Sequence, residues 1–206
     1  MMKPMPTAFT ALAAFAIAAA PAAAAPIVGR PAPNFKLADS NGKVVTLSDF
    51  RGKTVVLEWH NPGCPFVKKH YGSGNMQRTQ AAAARAGVVW LTINSGAPGK
   101  QGHMSGAEAR TLVAQSGARP TAYLLDHRGV VGRAYDAKTT PHMYVVNKAG
   151  TLVYAGGIDD KPTANPADIA AARNHVLAAL AELKSGKAVS VATSRPYGCS
   201  VKYADG

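Results

Sequence analysis

Two cysteines, Cys64 and Cys199, are the side chains of this 206-residue chain best suited to covalent chemistry. A cysteine reacts as its thiolate, so the available chemistry depends on what lowers the pKa of the thiol. Cys64 directly precedes Pro65, which fits the first position of a helix. The unpaired N–H groups at a helix start favour an anion, and Lys68, four residues further on, shares that helix face and adds positive charge. The pattern predicts that the pKa of Cys64 is lowered.

The charges that flank Cys64 in the sequence also suit a thiolate. No acidic residue occurs between Glu58 and Glu108, and His60 and His70 would add positive charge if they lie near the sulfur. Glu58 belongs to the strand before the cysteine, and two placements remain open for it. It either transfers protons beneath the cysteine or faces outward from the sheet.

Cys199 lies in a C-terminal tail that contains proline and glycine, and three roles remain open for it. It resolves an intermediate formed on Cys64, it forms a permanent disulfide with Cys64, or both thiols are free. In the chain-entropy model, a permanent bond that closes so long a loop stabilises the fold by about 4–5 kcal/mol. The reduction potential of the pair distinguishes a reversible bond from a structural one.

A metal site is a second chemistry to consider. Cys64 with His60, His70 or His142 offers soft ligands, but none of these pairs has a recognised ligand spacing. We therefore expect no metal and no other cofactor. The pair Asp159-Asp160 can hold a cation, although such a pair more often caps a turn.

The first 24 residues have the layout of a secretory signal peptide. Lys3 precedes an apolar run from 8 to 20, and Ala22 and Ala24 fit a peptidase site with cleavage before Ala25. An uncleaved membrane anchor is the alternative. Since no other stretch is apolar and long enough to span a bilayer, we expect an exported bacterial protein, periplasmic or secreted, that is not an integral membrane protein after cleavage.

The formal net charge of +12 permits nucleic acid or another acidic partner. The basic residues are scattered, without a stripe and without interleaved aromatic residues, and export separates the chain from nucleic acid. We therefore expect a solvated basic surface and no nucleic-acid partner. The length and a hydrophobic content of 47% suit one domain.

The elements that must position the cysteines alternate between strands and helices. An Asn-Gly turn at 41–42, between short runs at 35–38 and 43–47, predicts a β-hairpin. Further strands are expected at 54–59, 88–93, 122–125, 143–146 and 152–155, and helices at 65–86 (loosened near Gly72 and Gly74), 105–117, 128–135 and 165–185. This order predicts an α/β fold with a central mixed sheet, helices on both faces, an N-terminal β-hairpin extension and an irregular C-terminal tail.

One connecting loop is of particular interest because it follows the end of a predicted parallel strand, where ligands often bind in α/β sheets. It includes Asn94-Ser95 and the run from Lys100 to His103. The loop either lines the approach to Cys64 or is an ordinary surface loop.

Three sequence features resemble the thioredoxin superfamily: a strand that ends in Trp59, the Cys64-Pro65 helix start, and Thr140-Pro141 before a later hairpin. The resemblance implies a thioredoxin-like fold in which the bond before Pro141 is cis and faces the reactive cysteine. It also implies that Thr140 offers its backbone to an incoming peptide or disulfide.

Other segments resemble the redoxin branch of that superfamily, which includes the alkyl hydroperoxide reductase/thiol-specific antioxidant proteins and exported thioredoxin-like reductases. These are Pro33–Leu37 and Leu47–Lys53. The motif Cys64-Pro-Phe-Val and the tail motif Gly-Cys199-Ser-Val-Lys-Tyr resemble one bacterial subgroup of the branch. The resemblance spans about residues 31–203.

The chain also departs from the known patterns. Thioredoxins carry Cys-x-x-Cys, but here Val67 stands where a second cysteine would follow Cys64, and Asn61 stands where a first would precede it. Peroxiredoxins carry a proline and a threonine or serine that help bind peroxide, and those positions hold Leu57 and Asn61. The motifs therefore favour a disulfide substrate over a peroxide.

From these patterns we expect a redoxin domain at 31–186 and a tail at 187–206 that carries Cys199. The expected activity is that of a thiol oxidoreductase, either a disulfide reductase or an antioxidant thiol peroxidase, whose partners are a thioredoxin-like reductant and a protein disulfide or hydroperoxide. The alternative is a redox-inert module that binds a peptide or a metal. The candidate catalytic residues are Cys64, Cys199, Pro141 and Thr140, and the supporting residues are Trp59, Glu58, Asn61, Pro65 and Lys68.

Overall fold

The computed structural model describes residues 1–2 and 26–205 of the chain. Apart from its first two residues, the predicted signal peptide lies outside this range. Among the described residues, no helix combines the length and the apolar character needed to cross a membrane.

The described part of the chain folds into one main mixed sheet covered by helices on both faces. The helices are α1 (Pro65–Gly72), α2 (Asn75–Arg85), α3 (Gly106–Ser116), α4 (Val130–Ala134) and α5 (His175–Lys184). The strands are β1 (Lys36–Asp39), β2 (Val44–Thr46), β3 (Val55–Trp59), β4 (Val89–Asn94), β5 (Ala122–Leu125), β6 (Thr139–Thr140), β7 (His142–Val146), β8 (Leu152–Gly156) and β9 (Cys199–Ser200).

Strand β3 lies in the interior of the sheet, and all five of its residues are buried. It pairs in parallel with β4 and antiparallel with β7. The complete order of the main sheet is β2-β1-β5-β4-β3-β7-β8. A β-branched, apolar run suits a strand that is covered on both faces. The loop that carries Cys64 follows β3, so it begins at the carboxyl end of an interior strand.

The N-terminal hairpin is an edge of this main sheet. The turn between β1 and β2 contains Gly42, whose φ of +81° lies in the region that glycine adopts without strain. Strand β1 pairs antiparallel with β2 and also with β5. The predicted hairpin extension is therefore confirmed.

The helices differ in two places from those that the sequence pattern predicts. The predicted loosening near Gly72 and Gly74 is a complete break, since α1 ends at Gly72 and Gly74, with φ of +73°, precedes α2. The single final helix predicted from 165 is wrong in its first part. Asn165 caps only a 3-10 helix that ends at Ala171, and Asn174 then caps α5 by accepting from the N–H of Leu177 at 2.9 Å.

The C-terminal tail is largely without regular structure, as expected, but it contains the short strand β9. Strand β9 pairs antiparallel with β6 in a separate two-stranded sheet, with Thr139 opposite Ser200 and Thr140 opposite Cys199. The tail therefore returns to the edge of the molecule at which Cys64 lies.

Candidate functional site

Cys64 lies at the N-cap of α1, directly before Pro65 at the first helical position. Its side chain is 0% exposed, and its Sγ donates to the carbonyl oxygen of Thr140 at 3.0 Å. The peptide bond between Thr140 and Pro141 is cis. The structure thus brings together Cys64, Thr140 and Pro141, three of the residues that the sequence indicated.

Cys199 reaches the same place through β9. Its backbone lies opposite Thr140, and its carbonyl oxygen accepts from the Thr140 hydroxyl at 3.4 Å. Both cysteines are free thiols, with Cys64 buried and Cys199 partly exposed. The pairing of β9 with β6 therefore places the second cysteine next to the residue that the first one contacts.

The two thiols have unequal acidity. Burial raises the pKa of Cys64, but hydrogen bonds from the Cys199 thiol, the Thr140 hydroxyl and the N–H groups of Val67 and Cys199 outweigh burial, so the net pKa is lowered. Burial and the neighbouring Cys64 raise the pKa of Cys199 to about 11. Of the two thiols, Cys64 therefore loses its proton first, while Cys199 is the weaker acid.

Lys68 and the two nearby histidines do not supply the positive charge that the sequence suggested. Lys68 is exposed, and the groups that lower the pKa of Cys64 are uncharged hydrogen-bond donors. Burial lowers the pKa of His60 to about 3 and that of His70 to about 4, so both rings are neutral near pH 7. Local hydrogen bonding, and not a cationic field, accounts for the acidity of the thiol.

Glu58 is buried within the protein and does not face outward from the sheet. It is 0% exposed and accepts from Trp90 Nε1 at 2.8 Å, Thr92 Oγ1 at 3.0 Å and the Tyr71 hydroxyl at 2.8 Å. Burial raises the pKa of this carboxyl group, and the hydrogen bonds oppose that shift. Gln80 of α2 also donates to Glu58, at 3.5 Å, so Glu58 connects α1 and α2 to β3 and β4.

Asn61 connects the cysteine loop to the loop that follows β4. Its Oδ1 accepts from the N–H of Gly63 at 2.8 Å, and its Nδ2 donates to Gln101 Oε1 at 2.9 Å. Asn94 strengthens this connection by donating to the carbonyl oxygens of His60 and Gly102. The loop at 94–103 therefore packs against the cysteine loop and is not an isolated surface loop, while its lining of the approach to Cys64 stays a prediction.

Trp59, the last residue of β3, is buried on the face of the sheet opposite to Glu58. Its Nε1 donates to Ser95 Oγ at 3.1 Å, and Ser95 donates to Asp126 at 2.7 Å. Its ring packs against Tyr135 and Tyr144, with centroid separations of 5.4 and 5.1 Å. Trp59 thus holds the end of the strand from which the cysteine loop departs.

A buried polar cluster that the sequence did not reveal anchors the tail two residues before Cys199. The hydroxyl of Tyr197 donates to Asp159 Oδ1 and lies 3.2 Å from His70 Nε2. Lys69 Nζ lies 4.0 Å from Asp159 Oδ2, and both side chains are almost completely buried. Lys69 and His70 belong to α1, so this cluster ties the tail to the helix that begins at Cys64. We find no local sequence signal that could have identified it.

The tail is also held beyond Cys199. Val201 donates its N–H to the carbonyl oxygen of Lys138 at 3.0 Å, and the N–H of Ala97 donates to the carbonyl oxygen of Lys202 at 2.8 Å. The Tyr203 hydroxyl donates to the carbonyl oxygen of Ala137 at 2.8 Å. Hydrogen bonds before and after Cys199 therefore hold this residue in place, so the tail is not a flexible segment.

Within the described residues, no three or more histidine, cysteine or acidic side chains are grouped so that they could hold a metal ion. His142, one of the candidate ligands, instead has its Nδ1 3.1 Å from the Tyr144 hydroxyl. Asp159 is engaged with Tyr197 and with the N–H of Lys161 at 3.0 Å. The groups that this arrangement places for chemistry are the thiols of Cys64 and Cys199.

Comparison with known proteins is consistent with this geometry. A model described as the AhpC/TSA family matches residues 28–155, which include Cys64, Thr140 and Pro141 but not Cys199. The thiol-disulfide oxidoreductase ResA of Bacillus subtilis (strain 168) is 30% identical over 125 residues. The match covers 61% of this chain and 64% of that protein, so the chain spans less than two thirds of the relative's length.

Two solved structures are similar over most of the chain. A hypothetical protein from Sinorhizobium meliloti 1021 is 25% identical with a TM-score of 0.73, covering 87% of this chain and 96% of that one. An uncharacterized conserved protein from Geobacillus kaustophilus is 27% identical with a TM-score of 0.72, covering 87% and 94%. A putative thiol:disulfide interchange protein DsbE from Chlorobium tepidum, 24% identical with a TM-score of 0.52 and covering 64% of this chain and 85% of that one, shares the fold. With the sheet order, this similarity confirms the thioredoxin-like fold.

Proposed function

This chain belongs to the AhpC/TSA family, and we propose that it is a thiol oxidoreductase in which Cys64 is the nucleophile and Cys199 the resolving cysteine. The observation that carries the proposal is the pairing of β9 with β6, which holds Cys199 opposite Thr140 while Cys64 donates to the same residue. Two thiols that are distant in sequence thereby act as the dithiol that a local Cys-x-x-Cys motif provides elsewhere.

The unequal acidity of the thiols supports this assignment of roles. The Cys64 thiolate attacks one sulfur of a substrate disulfide, forms a mixed disulfide, and displaces the other sulfur as a thiolate. In the mixed disulfide, Cys64 is uncharged and no longer raises the pKa of Cys199, so the leaving thiolate takes up the Cys199 proton. The Cys199 thiolate attacks the Cys64 sulfur, which forms the Cys64–Cys199 disulfide and releases the second substrate thiol. A thioredoxin-like dithiol then reduces the pair and becomes a disulfide itself.

A disulfide is the substrate favoured by the residues around the cysteine. The positions that would hold peroxide-binding side chains are Leu57, which is buried in β3, and Asn61, whose amide is engaged with Gly63 and Gln101. The similarity to ResA, which is named a thiol-disulfide oxidoreductase, supports the same choice. A hydroperoxide would instead oxidise Cys64 to a sulfenic acid, from which Cys199 would displace water.

We further propose that the chain is exported to the periplasm or secreted, with residues 1–24 as a cleaved signal peptide. The redoxin domain would then occupy 31–186 and the tail 187–206. An oxidising compartment suits a protein whose resting chemistry depends on two thiols and their disulfide. Cleavage is checked by the N-terminal sequence of the protein recovered from the extracytoplasmic fraction, and an intact residue 1 there would contradict it.

Trapping the intermediate tests the roles of the two cysteines. The chain is treated with one equivalent of a peptide disulfide, and its mass is measured. We expect the unaltered chain to form the Cys64–Cys199 disulfide and Cys199→Ser to accumulate a mixed disulfide on Cys64. Cys64→Ser is the matched control and should react at neither position. If Cys199→Ser turns over the substrate as fast as the unaltered chain, Cys199 is not the resolving cysteine.

A further inference from the structure

Strand β6 is bonded along its edge by a segment of the chain's own tail. Strand β9 pairs with it through main-chain groups, Thr140 opposite Cys199 and Thr139 opposite Ser200. Main-chain pairing of this kind does not depend on side chains, so any extended segment of suitable shape can make it. The edge of β6 is therefore a strand-addition site whose present occupant carries a cysteine.

The occupant approaches β6 unusually closely at the residue before its cysteine. Gly198 has φ of +130°, a conformation that residues with a side chain rarely adopt. A Cβ at this position would lie 2.0 Å from the carbonyl oxygen of Thr140, the oxygen that accepts from Cys64. The contact is with backbone, so a side chain there cannot be accommodated by a rotamer change.

The docked strand also covers Cys64. The cysteine is 0% exposed, and Cys199 lies directly opposite Thr140, whose carbonyl oxygen accepts from the Cys64 thiol. A disulfide within another protein cannot contact the Cys64 sulfur while Cys199 occupies this position. A protein substrate must therefore take the place of β9 on β6, at least transiently.

We infer that β9 competes with the substrate for the edge of β6. The protein partner presents an extended segment whose cysteine is directly preceded by glycine. That segment takes the place of β9 on β6 during the reaction. Gly198 is the positioning residue that lets the tail dock, and a glycine before the reacting cysteine is the matching requirement for the partner. The inference rests on the proposed function, because it assigns the substrate of the same thiol.

The test uses the full chain and a peptide probe. The probe is the nine-residue peptide with the sequence of 195–203, its cysteine activated as a mixed disulfide with thionitrobenzoate. Attack by the Cys64 thiolate joins the peptide to Cys64 and releases thionitrobenzoate, which is measured by its absorbance. The reference protein is Cys199→Ser, in which β9 is kept and no second thiol can remove the peptide.

Opening the tail should accelerate this reaction. We expect Gly198→Ala in the Cys199→Ser background to react about tenfold faster than the reference, which corresponds to about 1.4 kcal/mol. The matched control is Gly186→Ala in the same background, since Gly186 also has a positive φ of +70° but a Cβ there meets no atom within 4 Å. The control should react at the reference rate. Tyr203→Ala, which releases the tail beyond Cys199, provides a second opened variant should Gly198→Ala not fold.

The probe's own glycine supplies the second comparison. In the opened variant, the peptide carrying Gly198→Ala should react about tenfold more slowly than the unaltered peptide, again about 1.4 kcal/mol. Equal rates for the two peptides, or equal rates for the reference and both opened variants, would overturn the inference. Failure of the proposed function is a different result: the unaltered chain would then form no Cys64–Cys199 disulfide, whatever the rates with the peptide.

Discussion

Tyr197→Phe tests how the tail is held over Cys64. The substitution keeps the aromatic ring, which packs edge-to-face on Phe66 with a centroid separation of 5.9 Å, and removes only the hydroxyl. Asp159 Oδ1 then retains the N–H of Lys161, while Oδ2 already has no hydrogen-bond partner. Lys69 Nζ, at 4.0 Å, is too far for a direct hydrogen bond.

The size of the effect follows from the burial of this carboxylate. Removing one partner of a buried polar group costs about 1–3 kcal/mol, and we take about 2 kcal/mol because Asp159 is 3% exposed and keeps one donor. If the cost applies to the docked state of the tail, the fraction of molecules with an open tail rises about 30-fold. Alkylation of Cys64 should accelerate by a similar factor.

The assay is the rate of iodoacetamide labelling at Cys64, followed by peptide mass mapping, together with the urea midpoint of global unfolding. The matched control is Tyr135→Phe, which removes a buried hydroxyl that donates to the carbonyl oxygen of Pro33 at 2.7 Å. The control should lower global stability without changing the labelling rate. An unchanged rate in Tyr197→Phe, or an equal acceleration in the control, would refute the reasoning.

Two further predictions concern titration. Cys199→Ala removes a thiol that hydrogen-bonds to the Cys64 sulfur, so the pKa of Cys64 should rise and the midpoint of the pH profile for its alkylation should move to higher pH; an unchanged midpoint contradicts this. Burial lowers the pKa of His60, His70 and His142 to about 3, 4 and 4, from 6.5. Because the folded values lie below the unfolded one, the stability that these neutral rings contribute is present above about pH 6.5 and falls as the pH drops toward about 4. Urea unfolding between pH 7 and 5 should show this loss, at most about 1.4 kcal/mol per pH unit for each ring, and a flat profile contradicts it.

The central elements followed from local patterns. The β-branched run at 54–59 predicts β3, and the helix predicted at 105–117 contains α3, which begins with a capping box between Ser105 and Glu108. Thr140-Pro141 was recognised only by resemblance, and the structure has the expected cis bond. In these cases the residues that determine the structure are neighbours in the chain, so the sequence displays them together.

The placement of the tail did not follow from local patterns because its determinants are distant in sequence. Strand β9 has two residues, too few for a periodic signal, and its partner β6 is equally short. Lys69, which no sequence pattern marks as a buried residue, is buried because Asp159 and Tyr197 come from elsewhere in the chain to pack against it. The final helix was extended too far toward its N-terminus because Asn165 and Asn174 are both good caps, and the extended residue Ala172 between them carries no breaking signal.

The most direct test of the central claim is an equilibrium redox titration of the unaltered chain against a dithiol/disulfide buffer, with both thiols quantified by mass. We predict that Cys64 and Cys199 are oxidised together, to one reversible disulfide, with a midpoint above about −300 mV, the limit below which structural disulfides typically lie. Two thiols that remain free across the range, or a disulfide that is reduced only below that limit, would contradict the claim that they form a catalytic pair.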